Sequence, residues 1–403
     1  MRRTGRHLRP GTGAAVSALA LALALAPGAG AAPSAPAQDD TTATSTATAP
    51  AAPRARKPAA AKPKAPQPAG WAVRGTASFS LIYNDNILGA STDDIDAFEG
   101  GSYPFKFAHE STDDMVLAPG LDLEARRDIF ELGQTRVRVR AKHWIYANNP
   151  IKTNTDLDFF LRQNIGKRQS LELYLHASPF QYIRHLSDRS PLADPEIPLQ
   201  WYSFRFQRNI WNLTWRQTVS RKLAATLVFE RNFRYYNREF MENDIEAWEL
   251  RGSLAWNVNR VLSLSGDYSY EDGNGRGLDE IGEAFATSDN SDPSYERDLY
   301  RLGVDLAVPQ LARYVDEIGL TFLFMDYYYT ARRPLVDDPY HVGRRDLNYK
   351  YTVELQRKLT RDVTLRVAAR RSSRIVESPW EGDLTTDKAF VQWQTWVDLA
   401  YRF

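Results

Sequence analysis

The sequence predicts an all-β chain, a closed antiparallel transmembrane up-and-down β-barrel of about fourteen strands over residues 71–403. Three observations lead there. Apolar and polar side chains alternate through one segment after another, which is the period of a strand with two unlike faces. The connections alternate between tight turns and long loops, as a series of hairpins requires. Aromatic residues make up 12% of a chain whose mean hydropathy is only −0.48. A mean that low excludes a helical membrane protein, because each spanning helix needs about 20 largely apolar residues in succession. It does not exclude a ribbon whose lipid-facing and water-facing side chains cancel on averaging.

The first element is an export signal. Ala14 to Ala26 is a short run of Ala, Leu and Val behind Arg2, Arg3, Arg6 and Arg9, and the small-residue site Ala29-Gly30-Ala31 follows. A basic start, an apolar run too short to span and a small-residue cleavage site read as a secretory signal peptide over 1–31. Its removal takes away four arginines and no acid, so the net charge moves from +1 to −3, which offers no global attraction for nucleic acid. With no cysteine, neither disulfides nor thiolate metal sites support the fold. Residues 32–70 are almost entirely Ala, Pro, Thr, Ser, Lys and Arg, and cannot bury enough to offset their ordering entropy. They predict a disordered linker with a basic second half (Arg54, Arg56, Lys57, Lys62, Lys64), either a spacer or an electrostatic tether to peptidoglycan, lipid phosphates or a periplasmic partner.

From Trp71 the texture changes. Trp71, Val73, Ala77, Phe79, Leu81 and Tyr83 share one face, with Arg74, Thr76, Ser78, Ser80 and Asn84 on the other. The same alternation predicts strands at 71–84, 114–126, 134–147, 154–165, 170–183, 199–219, 222–236, 244–258, 261–271, 295–308, 317–330, 345–359, 363–374 and 387–403. In 199–219 the apolar phase switches from Tyr202, Phe204 and Phe206 to Trp211, Leu213 and Trp215, so a β-bulge near Asn209 is expected to restore one apolar face. In 317–330 both faces are apolar and the orientation stays open. The tight turns 166–169, 220–221, 259–260 and 360–362 each place Lys or Arg between strands, whereas long loops fall at 85–113, 184–198, 272–294, 331–344 and 375–386.

A soluble β-sandwich also alternates, but its outward faces would be charged. Here aromatics gather near both strand ends: Trp211, Trp215, Trp256, Tyr401 and Phe403 toward the tight turns, Tyr83, Tyr235, Tyr236, Tyr268, Tyr270 and Tyr300 toward the long loops. Two such girdles are what two membrane interfaces select. Strands in hydrocarbon must also pair every backbone group, which closure achieves.

The last strand carries a sharper signal. VQWQTWVDLAYRF sets Val391, Trp393, Thr395, Val397, Leu399, Tyr401 and Phe403 on one face. A terminal aromatic, a second aromatic two residues earlier and apolar residues at alternate positions resemble the recognition signal of Gram-negative outer-membrane β-barrel proteins of porin-like type. That resemblance implies a cell outer-membrane location, contact with outer-membrane lipid and lipopolysaccharide, and insertion by the β-barrel assembly machinery, with Leu399, Tyr401 and Phe403 as the assembly signal. An even strand number then puts Trp71 and Phe403 at the periplasmic rim with the tight turns, and the long loops outside.

The polar face is expected to line the lumen. Arg136, Arg138, Arg140 and Lys142 form a basic column whose neighbours supply Asp156, Asp158, Asp122 and Glu124, while Arg366, Arg370 and Arg301 add positive charge and Glu172, Glu230, Glu249 and Asp267 negative. Two readings stay open: register-holding ladders, or one side of a transverse field that biases a pore toward small anions or zwitterions. Asp85, Asp93, Asp94, Asp96, Glu99 and Glu110 cluster in the first loop, which could bind Ca²⁺ or fold into the pore, but carboxylates without the regular spacing of a Ca²⁺ site are usually solvated. YEDGNGRG at 270–277 superficially resembles the outer-membrane phospholipase motif His-x-Ser-Asn-Gly-Arg, but Glu271 and Gly273 stand where the base and nucleophile belong. The six histidines show no metal-ligand spacing. No catalytic, metal or cofactor site is therefore predicted. The leading expectation is a passive channel for small hydrophilic solutes with a consistently polar inner face. The alternatives are the barrel of a polysaccharide or lipoprotein export system docked through 32–70 and, more distantly, a lipid-modifying enzyme.

Overall fold

A computed structural model describes residues 70–102, 108–130, 132–187, 201–278, 291–380 and 384–403. The predicted signal peptide and all but the last residue of the predicted linker lie outside the described residues.

Seven hairpins follow one another along the chain. The strands are β1 (Ala72–Asn84) and β2 (Asp114–Phe130); β3 (Gly133–Tyr146) and β4 (Asn154–Ile165); β5 (Gln169–Ser187) and β6 (Trp201–Thr218); β7 (Leu223–Tyr236) and β8 (Ile245–Asn257). They continue as β9 (Leu262–Gly275) and β10 (Tyr295–Ala307); β11 (Glu317–Tyr329) and β12 (Arg345–Lys358); β13 (Val363–Glu377) and β14 (Phe390–Arg402). Each pairs antiparallel with its sequence neighbours, and β1 pairs with β14, so the sheet is a closed fourteen-strand barrel. Closure leaves no edge strand and pairs the backbone all round. At the seam Thr76 faces Arg402 and Asn84 faces Gln394, and Gly75 and Phe403 exchange backbone hydrogen bonds of 3.0 Å in both directions.

Side-chain parity is continuous around the wall. The outward residues include Phe79, Leu121, Val139, Leu213, Leu254, Leu302, Val353 and Leu399, all exposed. A continuous apolar belt of this extent is stable only against hydrocarbon, which identifies the barrel as a transmembrane one. Trp211, Trp215, Trp256 and Tyr401 are exposed toward the tight turns, and Tyr83, Tyr235, Tyr268 and Tyr300 toward the long loops, matching the two girdles expected.

Several local expectations are corrected. β6 carries no bulge at Asn209: its pairing with β7 runs unbroken from Phe206 opposite Tyr236 to Thr218 opposite Ala224. The phase switch is real because Phe204 and Phe206 are buried inside while Trp211, Leu213 and Trp215 face outward. The register shifts fall on β5 instead, between Ser178 and Gln181 and between Tyr182 and Arg184. Tyr236 is likewise an inner residue, its ring 4.8 Å from that of Phe204, and not part of the outer girdle. The ambiguous β11 turns Leu323, Met325 and Tyr327 inward and leaves Leu320 and Tyr328 exposed.

The long-loop side is built over. In the first loop Asn86, Ile87, Leu88 and Ala90 are buried, with Ile87, Leu88 and Ala90 packing near Tyr146, and the Lys152 ammonium donates to the Ile87 carbonyl at 3.0 Å. The buried Gln392 amide on the inner face of β14 donates to the Asn86 carbonyl at 2.6 Å. The loop therefore folds inward at its start, 86–90. Its acidic run is a helix start, α1 (Thr92–Glu99), with Ser91 Oγ accepting from the Asp94 amide at 2.9 Å and Asp93 and Asp94 in the first turn, where the helix dipole favours negative charge. Beyond β13 a short helix α2 (Leu384–Lys388) places the Lys388 ammonium 5.0 Å from the Tyr340 ring centroid.

Candidate functional site

The lumen is the one compartment that collects chemistry from every strand, and it divides into two halves. In the half near the tight turns the basic column of β3 faces inward. Arg138 Nε donates to Asp122 at 2.8 Å and Arg140 Nε to Asp158 at 2.7 Å. Lys142 donates to Ser80 Oγ at 3.1 Å, and Asp156 accepts from Trp144 Nε1 at 2.7 Å. On the far side Arg366 lies 2.8 Å from Glu354, and Arg370 Nε donates to Thr352 Oγ1 at 3.1 Å. Asp158 also accepts from Tyr174 at 2.7 Å and lies 3.0 Å from His176 Nδ1. The eight residues singled out thus sit on the inner wall in separate ladders: the β3 column with its acids on one arc, Arg366 and Arg370 on β13.

Register adds what spacing alone hides. Arg126, Arg136 and Arg162 stand directly opposite one another across β2, β3 and β4. Like charges in direct opposition destabilise a sheet unless compensated. Glu124 pairs with Arg126, and Glu172 accepts from Arg216 at 3.1 Å. Arg74 and Arg138 stand opposite Glu124 on either side, with Asp122 engaging Arg138, and on this arc the described arginines outnumber the carboxylates. Arg126 and Arg162 were missed because a single strand shows only its own column.

The complementary row lies on the opposite arc. Glu230, Glu249 and Glu271 are directly opposed across β7, β8 and β9, only 8%, 2% and 1% exposed. Arg297 on β10 donates to Glu249 at 2.6 Å and to Glu271, and Arg251 Nε donates to Glu249 at 2.6 Å. Tyr295 donates to Glu271 as well. This row is satisfied and buried, so it is wall rather than pore surface.

The half near the long loops corrects the expectation of a consistently polar inner face. Ile245, Ala247, Tyr295, Leu299, Leu323, Met325 and Tyr327 form one buried apolar cluster, and Ile183, Phe204, Phe206 and Phe240 a second. Between them lies a cavity of about 80 Å³ whose lining comes from β5 to β8, from β10 to β14 and from Asn243 and Pro293 between strands. Curvature is what assembles it: Arg234 on β7 donates to Tyr295 Oη on β10 at 3.3 Å, across two intervening strands.

Above this half, His109 is 7% exposed, its ring 5.3 Å from that of Tyr182, and neither ring nitrogen has a hydrogen-bond partner among the described residues. Burial, helped by the positive charges of Lys152, His185 and Arg184, pushes its pKa from the usual 6.5 down to about 2. The folded loop holds a neutral imidazole while the opened loop binds a proton below about 6.5, so the packing is stabilised above that pH and loses stability progressively as pH falls toward 2. Protection of the amides at 108–113, taken relative to the intrinsic exchange rate at each pH, is expected to fall between pH 7 and pH 4.5, and the effect to vanish in His109→Phe. Equal acid sensitivity in that variant would rule His109 out as the cause.

No family model matches the chain, and no curated protein matches it. Solved structures do. The outer membrane channel DcaP of Acinetobacter baumannii is 10% identical with a TM-score of 0.41, over 83% of this chain and 97% of that one. A bacterial polysaccharide outer membrane secretin is 9% identical (TM-score 0.39; 81% of this chain, 98% of that one). The anion-selective porin from Comamonas acidovorans is 10% identical (TM-score 0.37; 83% and 99%).

Proposed function

We propose that the chain is an outer-membrane barrel that passes small hydrophilic solutes through its lumen, with a preference for anions. The carrying observation is the opposed row Arg126, Arg136 and Arg162 on the inner wall, in an arc where the described arginines outnumber the carboxylates. A ring segment with surplus positive charge in a low-dielectric wall raises the local concentration of anions and repels cations. The barrel size supports the reading, since about fourteen strands enclose more space than the eight whose interiors side chains alone can fill. In this reading the tight turns face the periplasm, the long loops face outward beside lipopolysaccharide, and the β-barrel assembly machinery inserts the chain. The basic segment 32–70 would then lie on the periplasmic side, within reach of peptidoglycan or a periplasmic partner.

Planar-bilayer conductance of the purified, folded protein decides the matter. Discrete channels with a reversal potential displaced toward the anion equilibrium value are expected in a KCl gradient. The double variant Arg136→Gln/Arg162→Gln is expected to lose most of that displacement while still conducting. Absence of channels together with flat liposome swelling would end the proposal.

A further inference from the structure

We infer that the opposed guanidiniums of Arg136 and Arg162, on the inner wall near the tight turns, bind one tetrahedral dianion, a phosphate or sulfate group either free or carried on a small solute. This rests on the reading that the lumen passes anions, and it names their class. The two residues are direct cross-strand partners on β3 and β4, and such partners have Cβ atoms about 4.5–5.5 Å apart. Neither forms a salt bridge among the described residues, because the acids beside them are held by other arginines. Glu124 pairs with Arg126, Asp122 accepts from Arg138 at 2.8 Å, and Glu172 accepts from both terminal nitrogens of Arg216, at 3.1 and 3.5 Å. Asp128, nearer the turn, stands opposite Gln134. Glu172 lies directly opposite Arg162, so its engagement with Arg216 is what leaves the arginine pair to a ligand. Arg162 Nε is buried with no hydrogen-bond partner among the described residues, and Arg136 Nε donates to Gln134 Oε1 at 3.0 Å.

Like charges in direct opposition destabilise a sheet, so an anion seated between these two relieves a repulsion that is already present. Geometry selects the kind of anion. A guanidinium presents its N–H donors as a planar fork that matches two oxygens of a carboxylate or a phosphate. A carboxylate has one such oxygen pair and one charge, enough for a single fork. A tetrahedral dianion carries further oxygens and a second charge, so it meets both forks at once. The Gln134 contact fixes Arg136 before any ligand arrives, and a group held in this way loses little freedom on binding. Arg136 is the fourth residue of β3 and Arg162 the fourth from the end of β4, which sets the pair beside the mouth on the tight-turn side.

Calorimetric titration of the full chain, folded in detergent at pH 8, with inorganic phosphate, sulfate, glycerol phosphate and acetate tests the site. Phosphate and sulfate are each expected to bind at least about tenfold more tightly than acetate, since a second set of charge-assisted hydrogen bonds contributes on the order of a decade. Glycerol phosphate binding as tightly as phosphate supports a site for the group carried on a solute, and much weaker binding supports a site for the free ion. Arg162→Lys keeps the charge but not the fork, and is expected to weaken phosphate about tenfold. Arg216→Gln releases Glu172 toward Arg162, its direct opposite, and is expected to weaken phosphate by a similar factor. Arg260→Gln removes an exposed positive charge from the turn between β8 and β9, and is expected to change binding less than about twofold because exposed charges are screened. Heat-modifiable gel mobility confirms closed barrels in each variant. Phosphate binding no tighter than acetate, or unchanged in both Arg162→Lys and Arg216→Gln, would overturn the site, as would an equal loss in Arg260→Gln. Calorimetry involves no flux and the pair lies at the mouth, so the two readings fail separately: conductance without phosphate binding removes this site alone, and phosphate binding without conductance removes the channel alone.

Discussion

Replacing Arg297 by Met is expected to destabilise the folded barrel by about 3–5 kcal/mol, the range for removing one partner of a buried charge network. Glu249 and Glu271 are directly opposed and almost inaccessible, and Arg297 is the donor that bridges them. Without it, Arg251 still serves Glu249, whereas Glu271, facing that carboxylate, keeps the Tyr295 hydroxyl and the nearby charge of Arg234. The double variant Arg297→Met/Glu271→Gln removes the stranded charge along with its partner and should recover much of the loss, because leaving a charge unpaired costs more than omitting the pair. Urea unfolding from lipid vesicles measures both. A loss below about 1 kcal/mol in the single variant, or no recovery in the double, would mean that water reaches this row and that it belongs to the pore.

Deleting Phe403 is expected to reduce the assembled fraction on the order of tenfold, and by more than deleting α1. Phe403 and Gly75 exchange two backbone hydrogen bonds at the β1–β14 seam, each worth about 0.5–1.5 kcal/mol net. The Phe403 ring lies over Gly75 so closely that a Cβ there would overlap it, and it stacks at 6.2 Å from the Tyr401 ring. Gly75→Val keeps the terminal aromatic but dislodges its ring, so it separates the two contributions. Assembly close to wild type in Gly75→Val and poor in the deletion would assign the effect to chain recognition, whereas equal defects would assign it to the seam. Heat-modifiable mobility of membrane fractions provides the readout, and equal assembly after removal of Phe403 or of α1 would contradict the ranking.

Outward and inward assignment was readable residue by residue, because a strand fixes its side-chain parity locally: Phe79, Leu121 and Leu399 face lipid, and Arg138 and Asp158 face in. The hairpin order followed from turn lengths for the same reason. Parity along a strand reports direction and nothing about what an inward side chain meets. Tyr202, Phe204 and Phe206 are apolar and inward, so a rule equating apolar with lipid-facing required a bulge at Asn209 that does not exist. Ser91 ahead of Asp93 and Asp94 is a legible helix cap, whereas the acidic composition alone points to a cation site, a segment folded into the pore or a solvated loop.

The sequence by itself thus determined a two-faced ribbon, its turns, its aromatic girdles and the direction of each charge. Only the tertiary structure decided which inward charges oppose which, since register between strands sets Arg126, Arg136 and Arg162 in one row and Glu230, Glu249 and Glu271 in another. It alone divided the lumen into a charged half and an aromatic one. Wall curvature and infolded loops bring together residues separated by two strands or by hundreds of positions, such as Arg234 with Tyr295 and Asn86 with Gln392. Alternation along one strand is a local property, whereas what an inward side chain meets depends on the closed shape of all fourteen strands.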